Sequence, residues 1–99
     1  MYPNMDTLTL ITKVSQILKN RLSSGDVRAF VFGSSLKKAK FYDIDIGLTG
    51  TISKETLALL RDDFEESDLP YNVDLVNLNS TTEQFKKNVF SENVVWLPL

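Results

Sequence analysis

From Asp6 to Leu22 apolar residues recur at three- and four-residue spacing: Leu10, Ile11, Val14, Ile17, Leu18 and Leu22 form the stripe of an amphipathic helix. Asp6 suits its N-cap, and Ser23-Ser24-Gly25 ends it, since Gly25 takes the left-handed conformation that closes a helix at no steric cost. Val27 to Phe32 is mostly apolar, the pattern of a short strand buried on both faces. Asp43-Ile44-Asp45-Ile46-Gly47-Leu48 alternates strictly, so a strand here puts Ile44, Ile46 and Leu48 on one face and Asp43, Asp45 and Gly47 on the other. A second helix is expected from Ser53 to about Glu66, capped by Ser53, stapled by Ile52 and Leu57, and striped by Leu57, Leu60 and Phe64. Pro70 breaks the chain before a strand over Asn72 to Leu78. Ser80-Thr81-Thr82-Glu83 has the form of a capping box for a last helix that buries Phe85, Val89 and Phe90, and Val94-Val95-Trp96-Leu97 closes as a strand. The order α, β, β, α, β, α, β predicts an α+β domain, a small mixed β-sheet with helices packed on one face.

Composition then limits the chemistry. Ninety-nine residues without repeats or linkers make one domain, 1–99, whose 42% hydrophobic and 24% charged residues are ordinary for a globular chain. A chain of this size buries roughly 65% of its unfolded surface, enough for stability without disulfides or a structural metal. The net charge of −2 offers no basic surplus for a broad nucleic-acid or membrane footprint. With no Cys and no His, the chain has no zinc site of those ligands, no disulfide, and no Ser-His-Asp or Cys-His mechanism. Asp, Glu, Lys, Tyr and a bound metal are left to carry any catalysis. Neither a signal-type N-terminus nor an apolar run near the length of a membrane span is present, so a cytoplasmic location is expected.

Two features on consecutive strands suggest one site. Asp43 and Asp45, at i and i+2 of a strand, have Cα atoms about 7 Å apart on one face, and carboxylates so placed converge on metal ions held about 3.5–4 Å from each other. Mg²⁺ prefers hard oxygen ligands, commonly one or two carboxylates completed by substrate phosphates. Gly33 and Ser34, leaving the first strand, supply a phosphate-binding turn: the glycine lets the backbone approach, and the following residues aim N–H groups and a hydroxyl at the ligand. Asp74 is a third acid, placed inside the apolar run Val73-Asp74-Leu75-Val76. Buried without a partner it would cost several kcal/mol, a cost removed by a metal shared with Asp43 and Asp45. There it would also take a proton from an attacking hydroxyl. Gly-Ser alone occurs in many turns, and Asp-x-Asp alone marks many solvated strand faces; the conjunction of the three in this order carries the signal.

Phe32-Gly33-Ser34, Asp43-x-Asp45 and Val73-Asp74-Leu75-Val76 together resemble the minimal nucleotidyltransferase family of the DNA polymerase beta superfamily, over roughly residues 28 to 78. The resemblance implies a nucleotidyltransferase-like fold and transfer of a nucleoside monophosphate, usually AMP from ATP, to a hydroxyl with release of pyrophosphate. It implies that Asp43 and Asp45 hold two Mg²⁺ ions, that Asp74 is the third ligand or the base, and that Gly33 and Ser34 contact the triphosphate. Family members of this length often pair with a small all-helical HEPN protein as a toxin–antitoxin couple. The segment between Ser34 and Asp43 is shorter here and lacks the family's Arg and second Gly; Lys37, Lys38 or Lys40 would then supply positive charge, as point charges without arginine's bidentate grip. These lysines are equally consistent with a solvated loop.

A second reading is a catalytically weak or inactive binding module, an antitoxin that covers a helical partner. A third is a purely structural Ca²⁺ or Mg²⁺ site. Trp96 and its apolar neighbours fit either a packed last strand or a contact with a partner or second copy.

Overall fold

The first apolar stripe folds as α1 (Thr7–Arg21), with Leu10, Val14 and Leu18 buried and Ile11 and Ile17 packed beside them. This computed structural model describes residues 7–22, 27–32, 43–69, 71–91 and 94–99, with Thr7 and Asp43 described by their backbone alone. The expected cap Asp6, the helix stop at Gly25 and the break at Pro70 lie outside the described residues. α2 (Lys54–Glu66) starts where its cap predicts: the Thr56 N–H donates to Ser53 Oγ at 3.1 Å. Leu60 and Phe64 are its buried stripe, with Ile52 and Leu57 packed on the same core.

α3 (Glu83–Phe90) starts differently from expectation. Its cap is Thr82, whose hydroxyl accepts the Phe85 N–H at 3.1 Å. Leu78–Ser80 coil instead as a 3₁₀ turn, closed by the Thr81 N–H on the Leu78 carbonyl. Ser80 inside that turn lacks the extended backbone an N-cap needs, whereas Thr82 has it, at φ −75° and ψ 160°.

The strands β1 (Arg28–Phe32), β2 (Asp43–Thr49), β3 (Asn72–Asn77) and β4 (Val95–Trp96) form a four-stranded sheet ordered β3-β2-β1-β4. β1 runs antiparallel to β2 and β4, while β2 and β3 are parallel because α2 carries the chain back to the starting end. The result is the mixed sheet and α+β class that the element order predicts. At the far end of β2, Gly50 takes φ 100°, a left-handed conformation that favours glycine, and its carbonyl accepts the Asn79 side-chain amide.

Alternation sorts the two faces. Ala29, Val31, Ile44, Ile46, Leu48 and Leu75 join Val14, Leu18, Leu60 and Phe64 in the main core under α1 and α2. The opposite face carries a smaller cluster of Phe30, Phe32, Leu78 and Val89. Helices on one face thus describes α1 and α2, while α3 sends Val89 to the other side. Phe30, fully buried, pairs in register with Gly47, and its ring covers that glycine: a Cβ there would lie 2.8 Å or less from three ring carbons. Gly47→Ala should therefore cost about 1–3 kcal/mol, the usual range for overpacking, seen as a lower denaturation midpoint.

α1 is also joined by charge to α2 and to the segment just after it. Arg21 forks onto Asp63, with Nε at 2.8 Å and Nη2 at 3.1 Å, and Lys13 Nζ lies 2.9 Å from Asp68. The hydrogen bond from Arg21 holds the Asp63 carboxyl below the usual carboxylate range. A depressed folded-state value gives stability that is complete above the unfolded pKa and is lost as pH falls through the folded one. Wild type and Asp63→Asn should accordingly melt apart at about pH 7 and draw together as pH falls below the ordinary aspartate range, with high salt narrowing the difference.

Candidate active site

Asp45 and Asp74 face each other across the parallel β2–β3 pair as register partners, on strands about 4.8 Å apart. Asp43 holds the register position opposite Asn72, two residues earlier on the same face by strand alternation. On the other side of β2, Phe32 is the partner of Asp45, so β1 ends level with the carboxylates and Gly33 follows directly in the chain. Gly33, Ser34, Lys37, Lys38 and Lys40 lie outside the described residues. Among the described residues no three His, Cys, Asp or Glu side chains gather as a metal site. Asp45 and Asp74 form a pair, and the third acid, Asp43, is described by its backbone.

The burial that the apolar neighbours of Asp74 predict does not occur. Asp74 is exposed and Asp45 half-buried. β3 is an edge strand, and only Leu75, on its other face, sinks into the core. An exposed carboxylate keeps its water, so burial alone requires no metal. The pair nevertheless suits a cation: two carboxylates directly opposite on one sheet face repel, and both are hard oxygen donors.

Beside the acids lies an aromatic layer that the sequence pattern missed. Phe32 meets Phe85 edge-on, with centroids 6.5 Å apart and planes at 88°. Phe30 touches Phe32 at 5.6 Å, Phe90 at 5.2 Å and Trp96 at 4.9 Å. Phe90 stacks on Trp96 at 6.3 Å and 19°, and the Arg28 guanidinium lies 4.4 Å from the Trp96 ring centre. The expected burial of all three apolar residues of α3 holds only for Val89; Phe85 is 37% and Phe90 46% exposed. This eight-residue helix brings only Val89 fully into its cluster. The available signal was Phe30 and Phe32 alternating with small or β-branched residues on β1, which marks one face of that strand as aromatic. Trp96, on a two-residue strand, is likewise partly exposed. A hollow of about 330 Å³ lined by Ile17, Asn20, Arg21, Asp63 and Glu66 lies between α1 and α2, and neither Asp45 nor Asp74 lines it.

Comparison with known proteins gives the family and the fold. Residues 12–97 match the family model of the polymerase beta nucleotidyltransferases, and the chain belongs to that family. A probable protein adenylyltransferase MntA of Haemophilus influenzae is 40% identical over 77 residues, covering 71% of this chain and 65% of the relative; the match thus spans less than two thirds of that protein. Among solved structures, a Shewanella oneidensis protein superposes with a TM-score of 0.69 at 21% identity, over 94% of this chain and 74% of its own. A toxin–antitoxin MntA-HpeT complex, with two aspartates two positions apart changed to glutamate, gives 0.69 at 21% identity, over 89% and 73%. A toxin–antitoxin structure with AMP-PNP gives 0.68 at 22% identity, also over 89% and 73%. At these identities the structures establish a shared fold. No helix among the described residues is long and apolar enough to cross a membrane.

Proposed function

We propose that residues 1–99 are one nucleotidyltransferase core that moves AMP from ATP to a hydroxyl and releases pyrophosphate. The single observation carrying this is the register of Asp45 against Asp74 on the face away from α1 and α2, one strand from the point where β1 gives way to Gly33 and Ser34. In this reading Asp43, Asp45 and Asp74 hold two Mg²⁺ ions, and Gly33, Ser34, Lys37 and Lys38 contact the triphosphate. When bound, the ions neutralise phosphate charge and favour attack at the α-phosphorus. Asp74, exposed at the sheet edge, accepts the proton of the acceptor hydroxyl; the new O–P bond forms at the α-phosphorus as the bond to the β-phosphate oxygen breaks. The acceptor is a protein, and the core works in the cytoplasm as the antitoxin of a toxin–antitoxin pair with a small all-helical HEPN-type protein. The relative named as a protein adenylyltransferase and the two toxin–antitoxin complexes of the same fold support this assignment.

The short Ser34-to-Asp43 segment favours a second reading, a binding module that covers its partner without transfer. Labelled ATP with the partner separates the two: transfer of label that requires Asp43 indicates the enzyme, and a tight complex without label indicates the module. Calorimetry of Mg²⁺ and ATP on wild type and Asp45→Asn tests the site itself. Loss of affinity in the variant is expected; equal affinity in both would remove the metal-site assignment.

A further inference from the structure

The transferase reading leaves the nucleobase without a described contact, and the aromatic layer supplies a candidate. Phe32 is the register partner of Asp45, which sets their Cα atoms about 5 Å apart on one sheet face. The Phe32 ring is nearly covered, at 9% exposure, and cannot offer a free face. Phe85 stands on it edge-on, with 37% of its surface open. The sheet therefore presents, in sequence across one face, a carboxylate pair, a covered ring and an open ring. We infer that Phe85 is the stacking wall for the base of the nucleoside triphosphate whose phosphates lie at Asp45 and Asp74. This rests on the transferase reading and adds a specificity element to it.

The geometry selects this ring over its neighbours. Phe90 and Trp96 are also open, but they stack on each other and lie over Phe30, whose register partner is Gly47, two residues farther along β2 from Asp45. Among the described residues, Phe85 is the open aromatic off β1 that contacts the ring beside the acids. A nucleobase is the fitting occupant because it is flat and polarisable, and because the phosphates of the same molecule would anchor it within reach. Every base has a π-face, so stacking without hydrogen-bonding partners accepts purines and pyrimidines alike, with purines held more tightly by their larger ring area. Modest discrimination among nucleoside triphosphates is thus expected of this wall.

The test compares Mg²⁺-dependent binding of ATP and of inorganic tripolyphosphate, which has the phosphates and no base. Phe85→Ala should weaken ATP between about 5-fold and 150-fold, the range for one lost base–aromatic stack, and leave tripolyphosphate unchanged. Phe85→Trp should restore ATP affinity. Phe85→Leu keeps apolar packing on Phe32, and should fold as wild type while remaining weak for ATP. Phe90→Leu should bind ATP as wild type does. Equal ATP affinity in Phe85→Leu and wild type, or equal loss of ATP and tripolyphosphate in Phe85→Ala, would overturn the assignment. So would a variant that loses its protein partner and keeps ATP, which would make Phe85 a docking residue. If wild type binds neither ATP nor tripolyphosphate, the transferase reading falls and the stacking wall with it; if wild type binds both and Phe85→Ala does too, only the wall falls.

Discussion

Asp74→Asn is expected to slow nucleotidyl transfer by about 10²- to 10⁴-fold, the span associated with loss of a general base. The protein should stay folded. Asp74 is exposed on an edge strand and sits directly opposite Asp45, so the substitution removes a carboxylate that keeps its water and is repelled by its neighbour. Like charges directly opposite each other are destabilising, and the variant should therefore melt at or slightly above the wild-type temperature. Activity and stability move in opposite directions, as expected where a fold keeps a repulsive pair for chemistry. Rate measurements with a labelled nucleotide, paired with thermal melts, check both parts. A variant that melts well below wild type would assign the lost activity to structure instead.

Phe30→Ala should have the largest effect on the fold, with a loss of about 3–5 kcal/mol. Set against a typical domain stability of about 5–15 kcal/mol, that is enough to unfold a sizeable fraction of the molecules. Phe30 is fully buried on β1, a strand with partners on both edges, and its ring touches Phe32, Phe90 and Trp96 while covering Gly47. Its removal opens a void between β2 and α3 and leaves the open aromatics without a floor. The pairing with Gly47 gives a sharper check. Alanine at 47 collides with the ring in the wild type but projects into the void in Phe30→Ala, so the double variant should lose less than the two single losses combined. Urea unfolding of all four proteins reads this coupling; strict additivity would mean that ring and glycine do not meet.

Alternation in Asp43-Ile44-Asp45-Ile46 was enough to separate acids from core, because a strand's period of two leaves no other choice once Ile44 and Ile46 must be buried. The stripes of α1 and α2 and the Ser53 cap were equally legible, being set by residues three and four apart. Asp74 was harder. Its position among Val73, Leu75 and Val76 looked like burial, and the order of strands, which puts β3 at the edge, makes it exposed. Neighbours in sequence do not say which strands flank one another. The α3 start shows the same limit on a smaller scale: Ser80 and Thr82 are both good caps, and the 3₁₀ turn after β3 decided between them.

By itself, then, the sequence excluded His and Cys chemistry and, with two acids on one strand face and a Gly-Ser pair before them, left carboxylates and phosphate as the expected chemistry. It also determined the local elements, whose causes lie within a few residues of one another. Tertiary structure alone decided that Asp45 meets Asp74, that Phe32 stands beside them, and that Phe85 remains open on top of it. Those are contacts between residues far apart in the chain, fixed by strand order and register, and no local pattern encodes them.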